Sequence, residues 1–352
     1  MTTIKIEGRE IGRGFSPYII AEMSANHSGN IDNAYRLILE AKKAGADALK
    51  IQTYTPETIT LNSDLPDFLI QGGLWDGRTL YDLYQEAHTP WEWHKPLFEY
   101  ARNIGITIFS SPFDSTAVDL LENLNAPAYK IASFEAIDLA LIRYVAATGK
   151  PMIISTGMAN IEEIEEAISA AQQGGCKQLA ILHCVSGYPA PPEDYNLQTI
   201  SDMTERFGLV TGLSDHTLDN TTAIASISLG ASIIEKHFTL DRNGGSPDDS
   251  FSLEPSDLSA LCRDSKIAWS ALGKVDYGRK SSEQENVQFR RSLYFIKDMQ
   301  AGEVITKGCL RSVRPGYGLP PKELKNVLGK KVNQDILANS PVLFKSISDS
   351  SC

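Results

Sequence analysis

The sequence predicts an α/β protein, a (β/α)8 barrel followed by a second, smaller domain. From residue 17 to about residue 240, short β-branched runs alternate with longer stretches of helical period, which is the pattern of βα units around a parallel sheet. Eight βα units in about 240 residues is the size of a closed barrel. An open doubly wound sheet is the alternative, but no G-x-G-x-x-G follows the first strand.

The eight predicted strands are separated, in most cases, by stretches with the period of a helix. Residues 30–46 place Leu37, Ile38 and Ala41 on one face and Gly45 at the end, which is typical of an amphipathic helix with a glycine stop. In chain order the predicted strands are SPYIIAEM, DALKIQTY, ITIFSSP, AYKIASFE, PMIISTGM, LAILHCVS, LVTGLSDH and SIIEKHF.

Each predicted strand starts apolar and ends polar. In a (β/α)8 barrel the carboxyl ends of all strands meet at one face, where the βα loops build the site. Eight polar ends in succession therefore predict one polar mouth. The polar residues at these ends are Glu22, Lys50, Gln52, Ser110, Ser111, Lys130, Ser133, Glu135, Ser155, His183, Ser186, Ser214, Asp215, His216, Glu235, Lys236 and His237.

The connection after the second strand, residues 55–94, is much longer than the usual βα loop of about two to six residues. A connection of this length is typical of a lid or a binding loop. Gly72 and Gly73 would suit a hinge, and Trp75 would offer an aromatic face to a sugar. A small packed subdomain is the alternative interpretation.

The sequence changes character after the eighth strand. Residues 254–273 are expected to form a closing helix with Ser256 near its N-cap, and a polar stretch follows. Beyond it, short β-like runs are separated by turn signals, with one brief helix after Pro321 that stops at Gly329. The predicted organisation is a barrel domain at 1–273, a linker at 274–288 and a small domain at 289–352.

Composition limits the classes of partner. The chain of 352 residues carries a formal net charge of -11, which argues against nucleic acid or an anionic membrane as the main partner. No stretch is apolar enough for a spanning helix or a signal peptide, so we expect a cytoplasmic protein. The cysteines form no C-x-x-C pair and are expected to be reduced thiols. They are Cys176, Cys184, Cys262, Cys309 and Cys352.

His216 and His237 end adjacent strands, so two imidazoles are expected side by side at the mouth. Two neutral histidines with open positions beside them suit Mn²⁺, Zn²⁺, Fe²⁺ or Co²⁺. The alternative is two histidines that are hydrogen-bonded to neighbouring groups. Spacing alone does not decide between the two interpretations.

Lys50, Lys130 and Lys236 lie inside strands whose two faces are covered, so we expect them to point at the mouth. With nearby serine hydroxyls they would form an anion pocket for phosphate and carboxylate. A structural salt bridge to Glu22 or Glu135 is the alternative for any one of them. The serines in question are Ser111, Ser133 and Ser155.

Three carboxylates lie close enough to the mouth to take part in chemistry. Glu22 is placed to act as a general acid or base, with an ion pair as its alternative role. Asp215 and Asp248 could bind sugar hydroxyls or cap local turns.

Nine segments resemble the sialic acid synthase family, in order and over essentially the whole chain. They are IIAEMSANHSG, KIQTYTPETITLNSD, GGLWD, SSPF, YKIASFE, ISTGM, GLSDHT, EKHFTLD and SVRPGYGLPPK. The ANH, TYTP, GGLWD and YGLPPK stretches are most similar to the pseudaminic acid branch of that family.

The resemblance implies a barrel followed by an antifreeze-like (SAF, β-clip) domain, in a domain-swapped homodimer whose small domain covers the partner's active site. It implies a transferase that condenses phosphoenolpyruvate with an acetamido sugar and water, giving a nine-carbon acid and phosphate by C–O cleavage. For the pseudaminic branch the sugar is 2,4-diacetamido-2,4,6-trideoxy-L-altrose. The metal implied is Mn²⁺, with Mg²⁺ or Co²⁺ as alternatives, and neither nucleic acid nor membrane is expected as a partner.

The resemblance also implies roles for individual residues. His216 and His237 match the metal ligands, and Glu22 matches the residue assigned to proton transfer. Lys50 and Lys130 match the lysines that hold phosphoenolpyruvate, and with Glu22 and His237 they are the expected catalytic residues. The expected substrate contacts are Gln52, Ser111, Ser133, Glu135, Ser155, Ser186, Tyr188, Ser214, Asp248 and Arg314.

Three of these positions carry further expectations. Arg314 matches an arginine that crosses the dimer to the sugar's N-acetyl group, with a solvated loop arginine as the alternative. Ser186 stands where N-acetylneuraminate synthases carry asparagine, which favours a different sugar, and Ser111 replaces a threonine. The alternatives that stay open are an N-acetylneuraminate or legionaminate synthase and a non-catalytic sugar-binding relative.

Overall fold

The computed structural model describes residues 2–348, so Cys352 and the rest of 349–352 of the predicted small domain lie outside the described residues. The chain divides into two compact units, at Met1–Gly273 and Lys274–Cys352. Within residues 2–348, no helix combines the length and apolar character needed to cross a membrane. The four cysteines in this range are buried free thiols.

The first unit is a closed barrel of eight parallel strands, as predicted. An antiparallel hairpin, β1 (Ile4–Ile6) and β2 (Arg9–Ile11), precedes it. The barrel closes where the last strand pairs with the first, with His237 opposite Glu22. Its strands are β3 (Tyr18–Glu22), β4 (Ala48–Thr53), β5 (Thr107–Pro112), β6 (Tyr129–Ile131), β7 (Met152–Ser155), β8 (Leu179–Cys184), β9 (Val210–Asp215) and β10 (Ile233–His237).

Helices cover the outside of the barrel. In the first of them Asn30 accepts a hydrogen bond from the Asp32 N–H, and Gly45 ends the helix at a φ of 91°, a conformation that glycine adopts without strain. The helices of this unit are α1 (Ile31–Ala44), α2 (Pro56–Ile59), α3 (Leu80–Ala87), α4 (Trp91–Ile104), α5 (Ser115–Asn123), α6 (Leu139–Ala146), α7 (Ile161–Gln173), α8 (Gln198–Phe207), α9 (Thr221–Ser228) and α10 (Pro255–Leu272). The closing helix α10 has Glu254 as its N-cap, two residues before Ser256, which the sequence places near the cap.

Two apolar clusters form the core of this unit. The larger one joins outward-facing strand residues to the helices. The smaller one contains hairpin residues, strand residues and Ala128 just before β6, but no helical residue, so it fills the barrel interior. Because side chains alternate along a strand, the residue two positions beyond an interior apolar side chain also points inward. These inward pairs are Ile20 and Glu22, Ala48 and Lys50, Phe109 and Ser111, Ala128 and Lys130, Ile153 and Ser155, and Ile233 and Glu235.

The second unit has its own small core. Strands β11 (Ser292–Phe295) and β12 (Leu310–Val313) pair antiparallel, and the short helix α11 (Leu324–Val327) precedes Gly329, as predicted. Phe295, Val327 and Val342 are fully buried in this core. The predicted linker forms two 3₁₀ turns, at Ser281–Glu283 and Glu285–Phe289.

Candidate active site

The polar ends of the barrel strands line one cavity of about 540 Å³, entirely within the first unit. Alternate side chains of each strand point into the barrel, so the polar residue at the end of a strand lies on the same face as the apolar interior residue before it. The polar residues that line the cavity are Glu22, Ser24, Lys50, Gln52, Tyr54, Tyr84, Lys130, Ser133, Glu135, Ser155, Ser186, Tyr188, Ser214, His216, Glu235, His237 and Asp248.

Two lysines and two glutamates form an ion cluster at the floor of this cavity. Lys50 Nζ lies 2.8 Å from Glu22 Oε2 and 3.6 Å from Glu235 Oε1. Lys130 Nζ lies 2.9 Å from the same Glu235 oxygen. None of the four residues is more than 5% exposed. The salt bridge that the sequence offered as an alternative role is therefore present, and it coexists with a position at the mouth.

The environment of this cluster shifts the pKa values of its two carboxyl groups in opposite directions. Burial raises the pKa of Glu22, although Lys50 works against the rise. Burial also opposes ionisation of Glu235, but Lys130 and Lys50 together lower the pKa of that carboxyl. Glu235 is thus the stable anion of the cluster, and Glu22 is the carboxyl group closer to taking up a proton.

His216 and His237 lie side by side, with ring centroids 5.5 Å apart. Burial lowers the pKa of His216 to about 4. Burial and the neighbouring His216 lower the pKa of His237 well below its ordinary value. Both imidazoles are therefore neutral near pH 7, which is the form that binds metals.

The hydrogen bonds of the two histidines fit a metal site. His216 Nδ1 donates to the carbonyl oxygen of Val185 at 2.7 Å, which leaves the Nε2 lone pair free. The buried Nδ1 of His237 has no hydrogen-bond partner, and Asp248 Oδ2 lies 3.5 Å away. Within residues 2–348, no group of three or more His, Cys, Asp or Glu side chains is arranged to hold a metal. A divalent cation here would take two nitrogens from the chain and further ligands from water or substrate.

Several polar groups beside the histidines are linked to one another. Gln52 Nε2 donates to Glu22 Oε1 at 2.8 Å and to Ser24 Oγ at 3.0 Å. Ser24 Oγ in turn donates to Asp248 Oδ2. Tyr188 lies over His216, with ring centroids 4.4 Å apart.

Other polar groups in the cavity have no partner. The Oγ of Ser155 and the Oε2 of Glu135 are buried without a hydrogen bond, and burial raises the pKa of Glu135 to about 7. Buried polar atoms are satisfied in most proteins, so these two indicate a ligand position. Ser186 Oγ donates to Ser133 Oγ at 2.9 Å near the same point.

Close approach at this point depends on Gly157. Its φ is +49°, and a Cβ there would lie 2.4 Å from Ser133 Cβ and 2.8 Å from Ser186 Oγ. A side chain at residue 157 would therefore displace the two serines.

The structure corrects the expectation for Lys236. This residue has the opposite orientation to Glu235 and His237 and does not line the cavity. Its Nζ donates to Asp215 Oδ2 at 2.8 Å, to the carbonyl oxygen of Thr217 at 2.7 Å and to that of Asp219 at 2.8 Å. Lys236 thus holds the turn that follows β9, on both sides of His216.

Two expected substrate contacts also lie outside the cavity lining. Ser111 lies behind the ion cluster and accepts a hydrogen bond from Lys50 Nζ at 3.1 Å. Arg314 is an exposed residue of the second unit. All the other predicted contacts line the cavity. Ser24 and Glu235 line it too, although the sequence did not assign them a role; the inward alternation on β10 could have identified Glu235.

The long connection after β4 lies along one side of the cavity. Ile70, Leu74 and Trp75 contribute to the lining. The indole N–H of Trp75 donates to the carbonyl oxygen of Pro247 at 3.2 Å, and its ring centroid lies 6.0 Å from that of Tyr188.

Comparisons with known proteins match both parts of the chain to known families. Residues 37–277 match the NeuB family and residues 290–348 match the SAF domain. The chain is 46% identical to the pseudaminic acid synthase of Campylobacter jejuni, over 91% of this chain and 93% of that protein. It is 44% identical to that of Helicobacter pylori, over 95% of this chain and 98% of that protein.

More distant relatives carry other names. The N,N'-diacetyllegionaminic acid synthase of Campylobacter jejuni is 36% identical over 89% of this chain and 94% of that protein. Among solved structures, the N-acetylneuraminic acid synthetase of Leptospira borgpetersenii is similar, with a TM-score of 0.73 and 30% identity over 82% of this chain and 96% of that chain.

Proposed function

The chain belongs to the NeuB family, and from that membership we propose that it is a pseudaminic acid synthase. The reaction joins phosphoenolpyruvate and 2,4-diacetamido-2,4,6-trideoxy-L-altrose with one water molecule, and its products are pseudaminic acid and inorganic phosphate. This proposal makes the enzyme a transferase that depends on phosphoenolpyruvate. The choice of branch is supported by the relatives, since identity falls from 46% for a pseudaminic acid synthase to 36% for a legionaminic acid synthase.

One observation carries the proposal. A single cavity brings two neutral imidazoles, His216 and His237, together with two buried lysines, Lys50 and Lys130. A cation and an anionic substrate can therefore be held side by side.

The reaction forms one carbon–carbon bond and breaks one carbon–oxygen bond. C3 of phosphoenolpyruvate bonds to the aldehyde carbon of the open-chain sugar, the oxygen of water adds at C2, and the bond from C2 to the phosphate oxygen breaks. Water supplies the C2 oxygen, and the phosphate leaves with the bonding electrons. A divalent cation held by His216 and His237 would polarise an oxygen of the substrates as a Lewis acid.

The chain's own side chains hold the substrates and a proton. Lys50 and Lys130 bind the anion, and Ser155 Oγ, which has no partner, donates to it. Glu22 lies at the end of β3 against Lys50 and is placed to take a proton from the attacking water or to donate one to the aldehyde oxygen. Asp248 and Gln52, which are linked through Ser24, face the sugar hydroxyls.

We also propose that two copies work together as a domain-swapped homodimer. In this arrangement the SAF domain of each copy covers the cavity of the other, and Arg314 reaches the sugar's acetamido group. The exposure of Arg314 leaves it accessible for this role. An Arg314→Ala variant that binds the sugar as tightly as wild type would contradict it.

Mn²⁺ is the proposed metal, with Mg²⁺ and Co²⁺ as alternatives. Equilibrium dialysis with Mn²⁺ alone should find one site per chain, and His216→Ala and His237→Ala should each abolish it. Unchanged Mn²⁺ affinity in both variants would contradict the assignment.

The substrate assignment is tested with purified protein, phosphoenolpyruvate and Mn²⁺. The diacetamido-trideoxy-altrose, the legionaminate-pathway sugar and N-acetylmannosamine are offered separately, and phosphate release and the mass of the nine-carbon acid are measured. We expect turnover with the altrose sugar. Turnover with only one of the other sugars would make the chain a legionaminate or N-acetylneuraminate synthase, and turnover with none would favour a non-catalytic sugar-binding protein.

A further inference from the structure

One side of the cavity is apolar, in contrast to its charged floor. The side chains concerned come from α2, from the connection after it and from α3, and we call them the apolar wall. They are Ile59, Ile70, Leu74, Trp75, Leu80 and Leu83. The wall and the floor enclose the same volume, so an occupant must present polar and apolar groups at once.

The apolar wall is partly open to solvent. Leu74 is 51% exposed, and Phe134, which also lines the cavity, is 54% exposed. Large apolar side chains that remain accessible inside a polar cavity are typical of a ligand-binding surface. Contact with apolar groups of a ligand would remove this surface from water.

Contacts fix which end of the cavity the wall adjoins. Trp75 is bonded to the carbonyl oxygen of Pro247, the residue before Asp248, and its ring lies 6.0 Å from that of Tyr188. Tyr188 lies over His216. The wall therefore borders the end of the cavity that holds the histidine pair and Asp248, where the sugar binds in the proposed function.

We propose that the apolar wall receives the methyl-bearing substituents that distinguish this sugar, which are the methyl of its C4 acetamido group and its C6 methyl group. This inference rests on the proposed function and names the part of that site that selects the substrate. The diacetamido-trideoxy sugar differs from N-acetylmannosamine in configuration, L-altro against D-manno, and in two substituents. At C4 an acetamido group replaces a hydroxyl group, and at C6 a hydrogen replaces a hydroxyl group.

The physical basis is a difference in desolvation. A methyl group against the wall leaves water for apolar contact, whereas a hydroxyl group there loses its hydration. The wall's side chains offer no partner in return, since the one polar group among them, the indole N–H of Trp75, is already bonded to Pro247. One methyl group in an apolar pocket changes kcat/KM by about 10-fold to 200-fold.

The test replaces wall residues and compares two sugars. Leu74→Ser and Ile70→Ser are each expected to lower kcat/KM for the diacetamido-trideoxy sugar by about tenfold or more. The KM for phosphoenolpyruvate should stay within about twofold. N-acetylmannosamine, measured as a substrate or as a competitive inhibitor, should be affected by less than about threefold. Leu65→Ser is the matched control, because Leu65 is an exposed leucine of the same connection that does not line the cavity.

The outcomes separate this inference from the proposed function. If the wild-type protein turns over the trideoxy sugar and both wall variants show the same kinetics as wild type, the inference is overturned while the proposed function stands. An equal loss for both sugars would also overturn it, since the wall would then not discriminate between them. A wild-type protein that does not turn over the trideoxy sugar would overturn the proposed function. Leu74 is half exposed, so its substitution leaves the core intact and the test does not depend on Ile70 alone.

Discussion

Lys130 Nζ and Glu235 Oε1 lie 2.9 Å apart at the floor of the cavity. These two residues are one of the two ion pairs of the buried cluster. Lys50 and Glu22 form the other pair, so the cluster carries two positive and two negative charges before any substrate binds. An anion that enters this site must compete with carboxylates for both lysines. In the proposed function, Glu235 therefore limits how strongly the site attracts phosphoenolpyruvate.

Glu235→Gln is expected to lower the free energy of unfolding by about 3 kcal/mol, because it leaves a buried lysine without its counter-charge. The same change gives the cluster a net positive charge, so phosphoenolpyruvate should bind more tightly and raise the melting temperature more than in wild type. Denaturant unfolding and thermal shift with phosphoenolpyruvate measure the two effects. Asp202→Asn, which removes a carboxylate from an exposed ion pair with Arg206, is the control and should change neither quantity. Weaker anion binding in Glu235→Gln would contradict this account.

His94 is expected to make the fold sensitive to acid. Burial lowers its pKa to about 4, while an unfolded histidine titrates near 6.5. Above pH 6.5 the group is neutral in both states and contributes no pH dependence. As the pH falls from 6.5 to 4 the unfolded chain takes up a proton that folded His94 does not, so stability falls by up to about 3 kcal/mol.

His94→Gln should remove this part of the acid sensitivity, because glutamine does not titrate and can still bond to Thr53. Urea unfolding at pH 7 and pH 4.5 should therefore differ less in the variant than in wild type. His88→Gln is the control, since His88 ends α3 at a position that is not fully buried. An unchanged difference between the two pH values in His94→Gln would refute the prediction.

Lys236→Met is expected to weaken Mn²⁺ binding by about tenfold although Lys236 does not touch the cavity. The lysine holds the residues on either side of His216, and groups that orient a metal ligand typically affect affinity by about 10-fold to 100-fold. Equilibrium dialysis with Mn²⁺ measures the change. Lys43→Met, at an exposed ion pair, should bind Mn²⁺ as wild type does. Wild-type affinity in a folded Lys236→Met protein would count against a positioning role.

Gly157→Ala should raise the KM for phosphoenolpyruvate by about tenfold or more, because the new Cβ would collide with Ser133 and Ser186. Gly149→Ala provides a matched control. Gly149 also has a positive φ, of 72°, but no atom lies within 4 Å of the position of its Cβ. Both variants should lose about 1 kcal/mol of stability from backbone strain, and only Gly157→Ala should lose affinity. Equal KM values in the two variants would show that the crowding at Gly157 has no consequence for binding.

The barrel and most of the site could be predicted because one sequence pattern, the alternation of side chains along a strand, specifies both. Side chains alternate along a strand, so runs such as SIIEKHF specify a buried strand and the polar group above it together. The same alternation requires that Lys236 and His237 point in opposite directions, so it excludes Lys236 from the mouth if His237 faces the mouth. The partner of Lys130 proved to be Glu235, which lies on the strand across the barrel.

Other features depend on contacts that the sequence does not specify. The packing of Ile70, Leu74 and Trp75 against the cavity follows from the path of a connection without regular period, and of the three the sequence predicts a role for Trp75 alone. The N-cap of α10 lies at Glu254 because Pro255 suits the first turn of a helix, a preference that outweighed the serine at residue 256. The proposed role of Arg314 would depend on a second copy of the chain.

The separate origins of the cavity's floor and its apolar wall have a consequence for how such an enzyme can diversify. The floor is built by strands whose other residues form the barrel core, so a change there disturbs folding and chemistry together. The wall comes from one connection and the helix after it, outside the barrel strands. Transplanting residues 55–87 from a relative would thus exchange the proposed sugar preference as a unit, while the strand residues proposed to bind the three-carbon donor would stay unchanged.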